Sequence, residues 1–118
     1  MNNRTFVNFS NHPSSAWEPE QIEAAERYGK IVDIPFPAVD PRASSEGIKA
    51  VGKEYVEIII NCDPEAVMCQ GEFTLCYFVI TELKKRNVRV LAACSRRMVE
   101  ETEGGRIVKF RFERFREY

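Results

Sequence analysis

Ala66-Val67-Met68-Cys69 is a short uncharged run that stops at Gln70-Gly71, and behind it Phe73, Cys76, Tyr77, Ile80 and Leu83 recur at helical spacing. The run reads as a strand buried on both faces, with Gly71 supplying the freedom to turn at its carboxyl end. The residues after it read as the inner face of a helix. Gln70, Gly71, Glu72 and Thr74 therefore fall between a strand end and a helix start. That junction offers unpaired N–H groups and the positive end of a helix dipole.

The same strand and helix signals run through the chain. Thr5-Phe6-Val7-Asn8-Phe9 alternates large apolar with smaller polar groups and ends in the polar loop Ser10-Asn11-His12-Pro13-Ser14-Ser15. A helix is predicted from Pro19, with Glu18 and Glu20 near its positive end and Ile22, Ala25 and Tyr28 inward, until Gly29. A second strand covers Lys30 to Phe36. Pro35, Pro37 and Pro41 then enforce an extended connection across the top of the sheet. Ser44 and Ser45 offer an N-cap for a helix through Ile48, Val51, Tyr55, Val56, Ile58 and Ile59, against the β-branched run at 58–60.

Lys84-Lys85-Arg86-Asn87 suits the negative end of the third helix, with the asparagine at its stop. Val88 to Cys94 reads as a fourth strand ending in a polar cluster, Ser95-Arg96-Arg97. Beyond Met98-Val99-Glu100, clean alternation over Ile107 to Glu113 predicts a hairpin that adds antiparallel strands at an edge. The expected fold is α/β and Rossmann-like: an open, mostly parallel sheet, β-α-β-α-β-α-β plus a C-terminal β-hairpin, in a single domain over residues 1–118. A central first strand would bring its loop beside the loop after residue 69.

Composition narrows the function classes. A formal net charge of -1 argues against a broad basic surface for long nucleic acid and leaves room for a local cationic patch. Cys62, Cys69, Cys76 and Cys94 lie in apolar runs without zinc-knuckle pairing and read as buried thiols, and one histidine leaves no imidazole metal set. No metal or cofactor is expected. The start Met-Asn-Asn-Arg-Thr lacks a signal-peptide core and no stretch reaches transmembrane length, so a cytoplasmic protein without a membrane partner is expected.

Three clusters carry candidate chemistry. Ser10, Asn11 and His12 present groups able to bind phosphate or ribose, with His12 able to exchange a proton near neutral pH; the same residues equally make a capped turn. At Gln70, Gly71, Glu72 and Thr74 a backbone nest and a hydroxyl could hold phosphate while Glu72 reaches a ribose or an adenine amine. Starting a helix is the plainer role of Glu72 and Thr74, and neither the dinucleotide fingerprint nor the P-loop spacing is present. Ser95, Arg96 and Arg97 could hold phosphate and stabilise transition-state charge, or simply be solvated. Lys109, Arg111, Arg114 and Arg116 read as the wet face of a strand.

The segments from Phe6 to His12, Gln70 to Thr74, Ala92 to Arg97 and the tail Phe112-Glu113-Arg114-Phe115-Arg116-Glu117-Tyr118 together resemble small stand-alone CRISPR-associated proteins of the CARF-related, ring-nuclease-like group found beside type III systems. The resemblance is clearest over the second half of the chain, and the proline-rich middle departs from it. It implies a homodimer whose strand-end crevices enclose a cyclic oligoadenylate, with cyclic tetra-adenylate the expected ring. It further implies metal-independent cleavage, in which the ribose 2′-hydroxyl attacks the neighbouring phosphorus and leaves a 2′,3′-cyclic phosphate. On that resemblance Ser10, His12, Arg96 and Arg97 would be catalytic. Asn8, Ser10, Asn11, Gln70, Gly71, Glu72, Thr74 and Ser95 would line the ligand. A module that binds the ring without cutting it, and a nucleotide-binding protein unrelated to CRISPR, stand as alternatives.

Overall fold

The computed structural model describes residues 4–118. The expectation drawn from Met1-Asn2-Asn3 falls outside the described residues. Five strands form one sheet in the order β2-β1-β3-β4-β5, from β1 (Thr5–Ser10), β2 (Lys30–Pro35), β3 (Pro64–Cys69), β4 (Arg89–Thr102) and β5 (Gly105–Glu117). The first four are parallel and β5 returns antiparallel to β4. The class is the expected one, an α/β Rossmann-like sheet with a C-terminal hairpin.

Helix α1 (Pro19–Glu26) lies on one face and α2 (Ser45–Ile60) with α3 (Phe73–Lys85) on the other. Strand alternation explains the division. Val7, Phe9, Val67, Cys69 and Val90 pack under α2 and α3 with Val56, Ile59, Leu75 and Val79. Phe6, Ala66, Met68 and Leu91 face α1 with Ala25, and Trp17, Tyr28 and Phe115 close over them. The small residues Ala66 and Ala93 leave room for Phe6 on β1 and Phe115 on β5 to meet at 5.0 Å between ring centroids.

Local chemistry sets the helix boundaries. Ser44 caps α2 by accepting from the Gly47 amide at 3.0 Å, and helical burial of Val56 and Ile59 overrides the β-branched run at 58–60. Asn87 ends α3 in the left-handed region, φ 62°, while the Asn87 and Val88 amides return to the Lys84 and Leu83 carbonyls. The proline-rich connection crosses the carboxyl end of the sheet, where Phe36 is buried on Phe9.

Two expectations need correction. Ser95-Arg96-Arg97 is not a loop at the end of a strand: β4 continues through it to Thr102, so the separate fourth strand and hairpin merge and the sheet has five strands rather than six. Antiparallel pairing with β5 keeps those residues extended, including Arg96 opposite Arg111 and Arg97 opposite Phe110. Gly71 has no left-handed backbone. A β-carbon there would stand 2.6 Å from the Phe36 ring, so close packing is what its missing side chain permits. No helix of the described residues is long and apolar enough to cross a membrane.

Candidate functional site

From β1 the chain crosses to β2 over the α1 face, and from β2 it crosses to β3 over the other face. The loops that follow β1 and β3 therefore diverge, which opens a crevice at their carboxyl ends. This is the switch point at which open α/β sheets take their ligands.

The β1 side of the crevice is built from inside. Asn8 and Ser10 are buried, at 1% and 4% exposure. The Asn8 amide donates to the His12 carbonyl and to Asp33 Oδ1, both at 2.9 Å, and the Ser10 hydroxyl donates to Asn8 Oδ1 at 2.6 Å. Ser10 Oγ also accepts from the His12 amide at 3.2 Å, and the Trp17 indole donates to the His12 carbonyl at 3.1 Å. Asp33 gathers the Ser14 hydroxyl as well, at 2.9 Å. Asn8 and Ser10 thus spend their polar atoms fixing the loop, while Asn11 and His12 stay exposed on it.

On the β3 side, Gln70 Oε1 accepts from the Ala93 amide at 2.6 Å, which orients the side chain toward β4. Its amide nitrogen has no hydrogen-bond partner among the described residues and stays available to a ligand. His12, Trp17, Glu18, Gln21, Gln70 and Ser95 line one cleft of about 300 Å³, floored by Met68 and Ala93 and walled by Phe110 and Phe112 from β5. That volume sits at the small end of ligand sites. Aromatic walls together with amide-, hydroxyl- and imidazole-bearing residues in the lining suit a flat heterocycle held on its edge and faces.

The other sequence candidates go elsewhere. Glu72 caps α3, accepting from the Leu75 amide at 2.8 Å and from the Thr74 hydroxyl at 2.7 Å. The Leu75 amide, then the Thr74 hydroxyl, hold the Glu72 carboxyl below its ordinary pKa. Thr74 faces the hollow between α2 and α3 with Ser45, Ile48 and Phe78, on the far face from His12. Gly71 lies under Phe36. Arg96 forms an ion pair with Glu113. Alternation along β4 from the cleft residues Ala93 and Ser95 places Arg97 on the cleft face and Arg96 on the opposite one.

The structure thus brings His12, Gln70 and Ser95 together, with Asn8 and Ser10 beneath them, and separates Thr74 and Arg96 from them. Trp17, Gln21, Phe110, Phe112 and the supporting Asp33 escaped the sequence reading. A lone tryptophan directly after a polar strand-end loop is the signal that could have found the first; the others depend on tertiary folding, Phe110 and Phe112 on how β5 folds back over α1. Two larger hollows flank the outer side of α3, where Phe73 and Tyr77 are exposed; they are mostly apolar and share no lining residue with the cleft. No group of three metal-ligating side chains occurs among the described residues.

Strand order and crevice define an α/β domain of the Rossmann-like class with a polar and aromatic cleft at its switch point. The chain belongs to the uncharacterized protein MJ1673 family, whose model matches residues 4–116. No curated protein and no solved structure matches it.

Proposed function

We propose that the switch-point cleft binds an adenine nucleotide carried in a cyclic oligoadenylate. One observation carries this reading: Gln70, whose side-chain nitrogen has no partner among the described residues, lines with His12 and Ser95 a cleft walled by Trp17, Phe110 and Phe112. An adenine stacked on an aromatic wall can accept the Gln70 N–H at a ring nitrogen. Stacking of this kind is worth roughly 1–3 kcal/mol per base. Ser95 and His12 lie where ribose or phosphate oxygens would follow, and Arg97 on the same strand face supplies the nearby cation. Because a 300 Å³ cleft is small, a ring of several nucleotides has to bridge two copies of the chain, each holding part of it.

The second reading is that the protein also cuts the ring, without a metal: a ribose 2′-oxygen gives up its proton and bonds to the adjacent phosphorus, the P–O5′ bond breaks, and the 5′-oxygen takes a proton and leaves as a hydroxyl, with a 2′,3′-cyclic phosphate on the other end. Its support is His12, a residue of the cleft lining whose imidazole can accept or donate a proton and so could serve the attacking or the leaving oxygen. Ser10 drops out as a reacting group because its hydroxyl is buried and engaged with Asn8.

Titration calorimetry of the full chain with cyclic tetra-adenylate in chelator, followed by chromatography of the ligand, tests both readings. Saturable binding that Gln70→Ala weakens by about tenfold supports the site, by analogy with loss of a buried hydrogen-bonding group. An intact ring after prolonged incubation removes the nuclease reading. Melting-temperature shifts from mononucleotides alone would remove the cyclic ligand and leave a simple nucleotide binder.

A further inference from the structure

β4 is paired with β3 only where Arg89, Val90 and Leu91 meet Ala66, Val67 and Met68. Past Leu91 it leaves the sheet with β5 as a two-stranded ribbon, and its other edge has no backbone partner among the described residues save the Gln70 side chain at Ala93. Eleven residues, Ala92 to Thr102, span about 36 Å at roughly 3.3 Å each. The ribbon expands the chain: its radius of gyration is 15.9 Å, against about 13.5 Å for a compact domain of this length. A lone two-stranded ribbon is at best marginally stable in water. Met98, Val99, Ile107, Val108 and Phe110 are all exposed on it.

The open edge reads Arg96-Arg97-Met98-Val99-Glu100-Glu101, cationic in its first half, apolar at its centre and anionic in its second. A strand edge carrying one sign of charge repels its own copy, which is how proteins keep edges apart. This edge does the reverse. Antiparallel pairing about a two-fold axis at Met98 sets Arg96 opposite Glu100 and Ser95 opposite Glu101, each twice, and a two-fold at Val99 sets Arg97 opposite Glu101. In both arrangements opposed residues lie on one face of the sheet, as strand geometry requires. The amide of Ala93 points to the open side, since Gln70 takes it, so Ser95, Arg97, Val99 and Glu101 present their N–H and C=O groups there too. A pair centred on Met98 gains about eight backbone hydrogen bonds, within the usual number for a specific interface. The outer edge of β5 is matched less well: a two-fold at Phe110 sets Lys109 against Arg111 and Arg106 against Arg114, and one at Arg111 offsets its Lys109–Glu113 match with Arg106 against Arg116.

We propose that the open β4 edge over residues 92–102 is a homodimer interface, in which two copies of the chain pair β4 to β4 antiparallel into one continuous sheet. The paired edges lie just past the carboxyl ends of β1 and β3, so the two switch-point clefts come to flank the two-fold axis. This deepens the nucleotide reading by supplying the bridge that a ring ligand needs, yet it stands on the strand edge alone. A dimer that ignores nucleotides leaves this inference intact and retires the ligand; a monomer that binds nucleotides does the opposite.

Sedimentation equilibrium of the full chain across a dilution series is the test, with circular dichroism to verify folding. The wild type is expected to dimerise. The exposed double reversals Arg96→Glu with Arg97→Glu, and Glu100→Arg with Glu101→Arg, each place like charges against one another in their own homodimer and are expected to weaken it at least ~10-fold. Mixed in equal amounts, the two variants become complementary and dimerise with each other. Lys109→Glu with Arg111→Glu, on the other strand, leaves the dimer in place. A wild type that stays monomeric overturns the proposal. So does a dimer indifferent to both reversals, a pair of variants that mixing does not rescue, or a dimer abolished only by the β5 changes.

Discussion

Asn8→Ala is the perturbation whose cost follows most directly from the geometry. Asn8 is 1% exposed and holds three hydrogen bonds: one to the His12 carbonyl, one to the Asp33 carboxylate and one from the Ser10 hydroxyl. Two neutral bonds are worth about 0.5–1.5 kcal/mol each and one to a charged partner about 1.5–3, so removing the side chain costs about 4 kcal/mol, within roughly 2.5–6. A domain of this size unfolds with an entropy near 0.25 kcal/mol/K, so that loss lowers Tm by about 16 °C. Urea denaturation monitored by circular dichroism measures it, and a double-mutant cycle with Ser10→Ala should return a coupling of about 1 kcal/mol for the shared bond. Asn8→Asp keeps the shape but sets a second carboxylate against Asp33, so its destabilisation relative to wild type should be larger at neutral pH than in acid. A loss below about 1 kcal/mol for Asn8→Ala would refute the reasoning, because it would mean that water replaces all three bonds and that Asn8 is free for a ligand.

Three further outcomes follow from single contacts. Gly71→Ala drives a β-carbon to 2.6 Å from the Phe36 ring and should cost about 1–3 kcal/mol through displacement of that ring, read by chemical denaturation; an unchanged midpoint would show that the ring has room to move. Tyr118 donates to the Cys69 carbonyl at 2.7 Å, and burial, then the nearby thiols, push its pKa up to about 12. The neutral phenol is the form the fold favours, so its contribution is complete below about pH 10 and is lost as pH rises toward 12. Tyr118→Phe should therefore be less stable at pH 8 by about 0.5–1 kcal/mol, with the gap closing in strong alkali. Glu72 has its pKa lowered by the Leu75 amide, so its contribution is present above the ordinary glutamate range and disappears as pH falls through the depressed value. Glu72→Gln should lower Tm at neutral pH and match the wild type in acid.

The fold was legible because its signals are local. The apolar run at residues 66–69, the helical spacing from Phe73 to Leu83, the Ser44 cap and the Asn87 stop each act within a turn or two of chain, and each is where the pattern put it. The break expected at Ser95-Arg96-Arg97 failed for a non-local reason. Polar residues there look like a loop until β5 supplies a ladder that keeps both strands extended in water. The candidate site was legible in part. His12 and Gln70 share a cleft because both follow the carboxyl ends of parallel strands, and Ser95 joins them from within β4 on the same face as Ala93, whereas Thr74 turns to the other face with α3, and Arg96 falls on the far side of β4 by a one-residue alternation that depends on pairing. Trp17, Phe110 and Phe112 meet only in three dimensions.

The chain has one tryptophan, and Trp17 lines the proposed cleft, so its emission reports on that site alone. Titrating the full chain with cyclic tetra-adenylate, with excitation at the red edge of indole absorption, is the most direct measurement. Binding in the cleft predicts a saturable change in Trp17 emission that Gln70→Ala shifts to about tenfold higher ligand concentration. Emission that stays constant while calorimetry registers saturable binding would place the ligand elsewhere and contradict the assignment of the cleft.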